Sequence, residues 1–196
     1  MPSPTGDYID PTSETAGSPQ ASHGTDEGFF PPSNLIGVYS VGSGRVMLSA
    51  YGETMRWSYP VSPDGARGFQ DWLELDKVQF PGQGDITAFV EYADHLFVFS
   101  RNRCWRLYGD SPPKWFKVVV SETVGCGSPY LLAETTQGLV WFDDGTRTLW
   151  HADLDGRLVD VWADRVRLPG DAVGRAVGVL DDTVYVSVSY LSLIHI

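Results

Sequence analysis

Several residue groups in this chain have types that could do chemistry. Asp143-Asp144 and Asp181-Asp182 place two carboxylates side by side. Glycoside hydrolysis needs its two carboxyls facing each other across a bond, about 5–9.5 Å apart. Adjacent residues in a turn do not supply that geometry, so both pairs are read as solvated turn residues. No Gly-x-Ser-x-Gly elbow presents a nucleophile; Gly42-Ser43-Gly44 reads as a glycine-rich turn between strands. The four histidines (His23, His95, His151, His195) lack ligand spacing, and Cys104 and Cys126 have no CxxC partner. The two cysteines read as small buried hydrophobes, with a disulfide between them left open. Arg101-Asn102-Arg103-Cys104-Trp105-Arg106 is the one basic patch with an aromatic, suited to a phosphate or an acidic partner but expected to be a solvated hairpin tip. No glycine-rich phosphate loop leads into a helix. No catalytic, cofactor-binding or metal-binding residues are therefore expected, and the chain is read as not an enzyme.

Composition narrows the partners. The formal net charge is −11, with only three lysines (Lys77, Lys114, Lys117), whereas gripping a phosphate backbone takes clustered positive charge. Nucleic-acid binding is not expected. No apolar run approaches the roughly 18 residues of a membrane span, and the N-terminus has no basic region followed by an apolar stretch. Seven Trp, nine Tyr and nine Phe supply aromatic bulk suited to packed strands.

The elements that must position these residues recur. Short apolar strands centred on Val46-Met47-Leu48, Leu96-Phe97-Val98, Leu139-Val140-Trp141 and Val184-Tyr185-Val186 start 50, 43 and 45 residues apart. Each follows a first strand (Gly37–Val41, Ile86–Tyr92, Tyr130–Thr135, Arg175–Leu180) and a tight turn. A second turn comes next, at Gly52-Glu53, Arg101-Asn102 and Asp144-Gly145, the last reading as a type I′ hairpin. Third strands span Thr54–Tyr59, Cys104–Tyr108 and Thr148–Asp153, and Asp155-Gly156 leads to a fourth at Arg157–Trp162. A repeat of about 40–50 residues made only of strands and turns marks a β-propeller blade.

Two details support the repeat. Second strands are apolar at consecutive positions, as in Leu96–Phe99, which suits burial on both faces between stacked blades. Trp57 and Trp150 stand 11 residues beyond the start of their second strands, with Trp105 two residues before the equivalent Leu107; all three are expected on the same face. Trp72, Trp115 and Trp162 are placed in fourth strands. The fold class is thus all-β, a partial β-propeller of about three four-stranded antiparallel blades plus the start of a fourth. A two-sheet sandwich does not explain the long repeat.

The ends read differently. Residues 1–28 carry five carboxylates (Asp7, Asp10, Glu14, Asp26, Glu27), no Lys or Arg, and few apolar side chains, and are expected to be a disordered arm. Residues 29–190 form the propeller domain. Residues 191–196, Leu-Ser-Leu-Ile-His-Ile, are the in-frame translation of the mosaic end of a widely used transposase sequencing adaptor, and are set apart as an artefact. Three blades and part of a fourth do not close a ring of 4–8, so the sequence is expected to be a C-terminally truncated fragment.

The segment from Phe29 to about Trp150 resembles β-propeller virion structural proteins of tailed bacteriophages, of the tail or head–tail adaptor kind. The similar residues are Phe30-Pro31-Pro32, Gly42–Leu48, Trp57-Ser58-Tyr59-Pro60, Asp85–Phe89, Leu96–Phe99, Leu107–Pro112, Val124–Pro129 and Gly138–Phe142. Similar proteins often carry Phe-Ser-Glu-Pro where this chain has Tyr59 in the third place. The resemblance implies a non-catalytic virion component, assembled in the host cytoplasm, contacting other virion proteins and present as a homo-oligomeric ring or in multiple copies. A glycan-binding or glycan-cleaving propeller is the alternative. Asp143-Asp144-Gly145-Thr146 is similar to the aspartate box of sialidase-like propellers, but Trp141 stands where that box has serine and Thr148 where it has Trp. An interaction propeller of the WD40 kind lacks its Gly-His and Trp-Asp signature.

Overall fold

The computed structural model describes residues 33–41, 44–58, 72–82, 84–109, 114–153, 155–163 and 165–190. The arm of residues 1–28, the Gly42-Ser43 turn, His23, His195 and residues 191–196 lie outside the described residues.

The described residues form fourteen strands. They are β1 (Leu35–Val41), β2 (Gly44–Tyr51), β3 (Thr54–Ser58) and β4 (Trp72–Gln79); β5 (Ile86–Tyr92), β6 (His95–Ser100), β7 (Cys104–Tyr108) and β8 (Phe116–Ser121); β9 (Leu132–Thr135), β10 (Gly138–Asp143), β11 (Thr148–Ala152) and β12 (Leu158–Asp160); β13 (Val173–Leu180) and β14 (Thr183–Ser189). Each group of four is an antiparallel meander in which sequence neighbours pair, and among the described residues the fourth sheet holds β13 and β14. The architecture is all-β: three four-stranded blades and the first half of a fourth, not closed into a ring.

Burial explains the apolar runs. Alternate side chains of a strand point to opposite faces. In β6, Leu96 and Val98 join Val46, Leu48, Met55 and Trp57 in a core between blades one and two. Phe97 and Phe99 join Leu139 and Trp141 in a second core toward blade three. In β10, Trp141 meets Phe99 of blade two at 5.2 Å between ring centroids. Its neighbour Phe142 faces the other way, where a Cβ on Gly174 of β13 would lie 2.4 Å from Phe142 Cδ1. Glycine is required there, and also at Gly37 of β1, where a Cβ would stand 2.3 Å from the Phe89 ring of β5.

Bulges redirect residues that simple alternation would misplace. The β5–β6 register shifts between Ile86 and Ala88, so these residues, two apart, enter different cores. A second shift lies in β8, where Ser121 pairs with Cys104 and Val119 with Trp105, while Cys104 and Trp105 themselves alternate normally, Cys104 toward blade three and Trp105 toward blade one. An extra residue in one strand flips the faces that follow it.

Several expectations need correction. Trp57 and Trp150 do not share a face: Trp57 points to the following blade, meeting Trp115 at 5.5 Å, whereas Trp150 pairs with Trp141, which points to the preceding one. The equal spacing hides a one-residue offset, and such an offset reverses every side chain. Trp115 and Trp162 flank β8 and β12 rather than lying within them. The segment Pro129–Leu131 is a 3-10 turn capped by the Ser128 side chain, so β9 begins only at Leu132. The Asp144-Gly145 turn is not type I′, because positive φ falls on Arg147 (55°) alone. It is a four-residue loop in which Arg147 N donates to Asp143 O at 2.7 Å. Paired positive φ values, the signature of type I′, occur instead at Ala93-Asp94 and Asp181-Asp182.

Candidate functional site

Successive blades are held together near both ends of their second strands, by strand tyrosines or a turn threonine at one rim and by turn residues at the other. At one rim, Tyr39 OH donates to Asp94 O at 3.2 Å and Tyr92 OH donates to Thr135 O at 3.2 Å. In the third interface Thr136 Oγ1 donates to Asp182 Oδ1 at 3.2 Å. At the other rim, Ile86 N donates to Gly52 O at 2.8 Å and Cys126 N to Ser100 O at 2.9 Å. Gly174 N donates to Asp144 Oδ1 at 2.9 Å in the same role. Every blade-to-blade junction is therefore tied at both ends.

The paired carboxylates belong to this system and are not simply solvated. Asp143 is buried, accepting Gly145 N at 3.1 Å, Thr146 N at 3.1 Å and Thr146 Oγ1 at 2.6 Å. Trp150 Nε1 in turn donates to Thr146 Oγ1 at 3.0 Å. Asp144 reaches out to blade four while Asp143 reaches inward, so the two do not converge on a shared space. Asp182 takes the Thr136 hydroxyl, and Asp181 and Asp182 are exposed, as expected of turn residues. Asp160 accepts Thr148 Oγ1 at 2.6 Å and two backbone amides, closing the end of β12. Glu53, unmarked in the sequence, accepts Gly82 N at 3.0 Å and Gly84 N at 3.1 Å and so holds the loop from blade one to blade two. Both glycines have positive φ (70° and 75°), which glycine adopts without strain.

The basic patch is divided by its own strand. Arg101, Asn102 and Arg103 do form a tip, lining an open cleft of about 510 Å³ with Gly84, Asp85 and Glu122. Arg103 Nη1 stands 4.0 Å from Glu122 Oε1, an exposed pair worth at most about 1 kcal/mol. Cys104 and Trp105 are buried in opposite cores. Arg106 leaves the tip, its guanidinium 4.4 Å from the Tyr108 ring centroid. The patch is thus no continuous basic surface.

The remaining groups are held in unreactive settings. Both cysteines are free thiols buried in the second core. Burial pushes the Cys126 thiol up from 9.0 to about 12, and it raises Cys104 well above the ordinary value. Thiolate is the nucleophile, so neither is poised for attack. His95 lies 4.9 Å from the Tyr108 ring, and burial followed by Arg106 lowers its pKa. His151 sits half-buried on β11, lining a groove between blades three and four. Trp57, Trp72, Trp105 and Trp141 are all buried, which leaves them no sugar-facing platform.

Among the described residues no three His, Cys, Asp or Glu side chains gather as metal ligands. No described helix is long and apolar enough to cross a membrane. Comparison with protein-family models and with curated proteins gives no match. The sequence motifs pointed to the right turns, but the tyrosine ties and the Glu53 clamp carried no local signal beyond a Tyr in each of the first two inner strands.

Proposed function

We propose that the protein is a non-catalytic structural component that acts through protein–protein contacts, of the kind built into the tail or head–tail connector of tailed-phage virions. The observation that carries this reading is the use of its polar side chains. Asp143, Asp160 and Glu53 each accept two or three hydrogen bonds from backbone or hydroxyl groups that hold turns and loops in place, and Asp144 accepts one from Gly174 N of the next blade. A carboxylate satisfied by two or three such donors is a poor general acid or base, since its lone pairs are already committed. The resemblance over residues 29 to about 150 supports the virion setting, with other virion proteins as partners and multiple copies in the assembly.

Mass spectrometry of density-purified tailed particles tests the proposal. Peptides from residues 33–190 should appear at a fixed stoichiometry to the portal or tail-tube protein. Their absence from particles that contain every neighbouring structural gene product would overturn it.

A further inference from the structure

We propose that the β6–β7 turn and the loop leading into β5 form a self-complementary contact that pairs two copies of this chain about a two-fold axis. This goes beyond the reading above and does not depend on a virion setting. The same rim is used differently in the three complete blades. In blade one the turn after the second strand carries Glu53, which accepts Gly82 N at 3.0 Å and Gly84 N at 3.1 Å. In blade three the equivalent turn carries Asp144, which accepts Gly174 N at 2.9 Å. Blade two makes its tie through main chain instead, Cys126 N donating to Ser100 O at 2.9 Å. The side chains of its turn, Arg101 and Asn102, are thereby released from holding the next blade, and both are exposed.

Strand order sets charges in a row along this rim. β5, β6, β7 and β8 lie side by side, so Asp85 before β5, Arg101 and Arg103 between β6 and β7, and Glu122 after β8 follow in that order. All four line the one open cleft of about 510 Å³. Arg103 is turned to Glu122, 4.0 Å from its Oε1. Arg101 and Asp85 make no hydrogen bond or ion pair among the described residues, so the cleft holds one unpaired charge of each sign. Both sit on main chain that is already held. Ile86 N, next to Asp85, donates to Gly52 O at 2.8 Å, and Ser100 N donates to Arg103 O at 3.0 Å across the turn. Pairing them with a partner therefore orders side chains and leaves the backbone as it is.

A second copy supplies the complement. A two-fold contact places residue i against residue j and j against i. With the axis between Asp85 and Arg101, each Arg101 guanidinium meets the Asp85 carboxylate of the other copy, the fork-and-carboxylate match that arginine favours. The corresponding turns of blades one and three do not repeat this, because their carboxylates are bonded within their own chain. Two chains of net charge −11 repel, so they meet most readily where local charge is balanced, as it is over Asp85, Arg101, Arg103 and Glu122. The same two carboxylates disfavour a phosphate group or a nucleic-acid backbone. The contact is small and polar, of the transient class.

Sedimentation velocity of the full chain tests this. At about 0.15 M salt the Debye length of about 8 Å screens long-range repulsion between copies but not contacts at salt-bridge distance. A reversible monomer–dimer equilibrium is expected at about 200 µM protein, weakened about tenfold near 1 M salt. Arg101→Glu and Asp85→Arg should each abolish the dimer, because each sets like charges face to face. Circular dichroism and thermal melts should show both variants folded, since neither side chain is bonded within its own chain among the described residues. Mixed in equal amounts, the two variants should dimerise again. The new carboxylate of one then meets the new guanidinium of the other, while the native pair forms on the opposite side of the axis. A parent that stays monomeric, or a dimer indifferent to salt, would overturn the proposal. So would folded variants that dimerise as the parent does, or a mixture of them that stays monomeric.

Discussion

β6 and β14 occupy the same place in their blades and have opposite sequences. β6 reads His-Leu-Phe-Val-Phe-Ser and is buried from Leu96 onward, because blade one covers one face and blade three the other. β14 reads Thr-Val-Tyr-Val-Ser-Val-Ser, with Val184, Val186 and Val188 against the second core and Tyr185 58% exposed on the far side. β2 resembles β14 only in part: Val46, Leu48 and Ala50 are buried toward blade two, and on the other face Arg45 is exposed and Met47 half-buried, but Ser49 is buried. A strand thus records in its alternate positions how many blades flank it. The inner blades are layers of a core, and the outer ones are its lids.

The largest test of this contrast is a pair of truncations. Trp141→Ala empties the contact with Phe99 and should cost about 3–5 kcal/mol in urea unfolding. Tyr185→Ala, at a position with one blade beside it, should change stability by less than about 0.5 kcal/mol. Equal losses would mean that blade four is as deeply embedded as blade three.

A smaller effect is expected where glycine lets blades approach. Gly174→Ala drives a Cβ to 2.4 Å from Phe142 Cδ1 and should cost about 1–3 kcal/mol. Phe142→Leu should recover part of that loss in a double-mutant cycle, because the two share one contact. Strict additivity would remove the steric explanation.

The smallest effect is alkaline. Burial raises the folded-state pKa of Cys126 and of Tyr39 to about 12 and that of Cys104 well above its ordinary value. A raised folded pKa means that the unfolded chain loses its proton first. The stabilisation is therefore complete below about pH 8.5 and declines as pH rises from there toward 12. Cys126→Ala should flatten this decline in thermal melts between pH 8 and 10, while leaving the melts at pH 6–7 parallel to those of the parent. A decline equally steep in the variant would assign it to other groups.

Much of the fold was legible because its signals are local. Apolar runs of four to six residues, separated by Gly, Asp and Asn turns at a long period, specify hairpins through backbone geometry that neighbouring residues settle among themselves. Eleven of the fourteen described strands follow from that pattern, whereas β4 and β8 were marked only by Trp72 and Trp115, and β9 was read too long because the Ser128 cap and 3-10 turn leave no alternation to distinguish them from strand. The candidate site was less legible. Asp143 and Asp144 stood out as a pair, but which one turned inward depended on the Arg147 turn, and the basic run around Arg101–Arg106 gave no hint that its residues part company at Cys104.

The sequence by itself determined the meander: which segments are strands, where the turns fall, that the repeat is blade-like, and that β6 and β10 must be covered on two sides. Only the tertiary structure decided which face of each strand meets which neighbour. A bulge at Thr87 and a one-residue offset between Trp57 and Trp150 each reverse a face, and neither alters composition or period. The same holds for the two rows of ties at the rims, since Tyr39 and Asp94, or Asp144 and Gly174, become partners only after the blades have stacked.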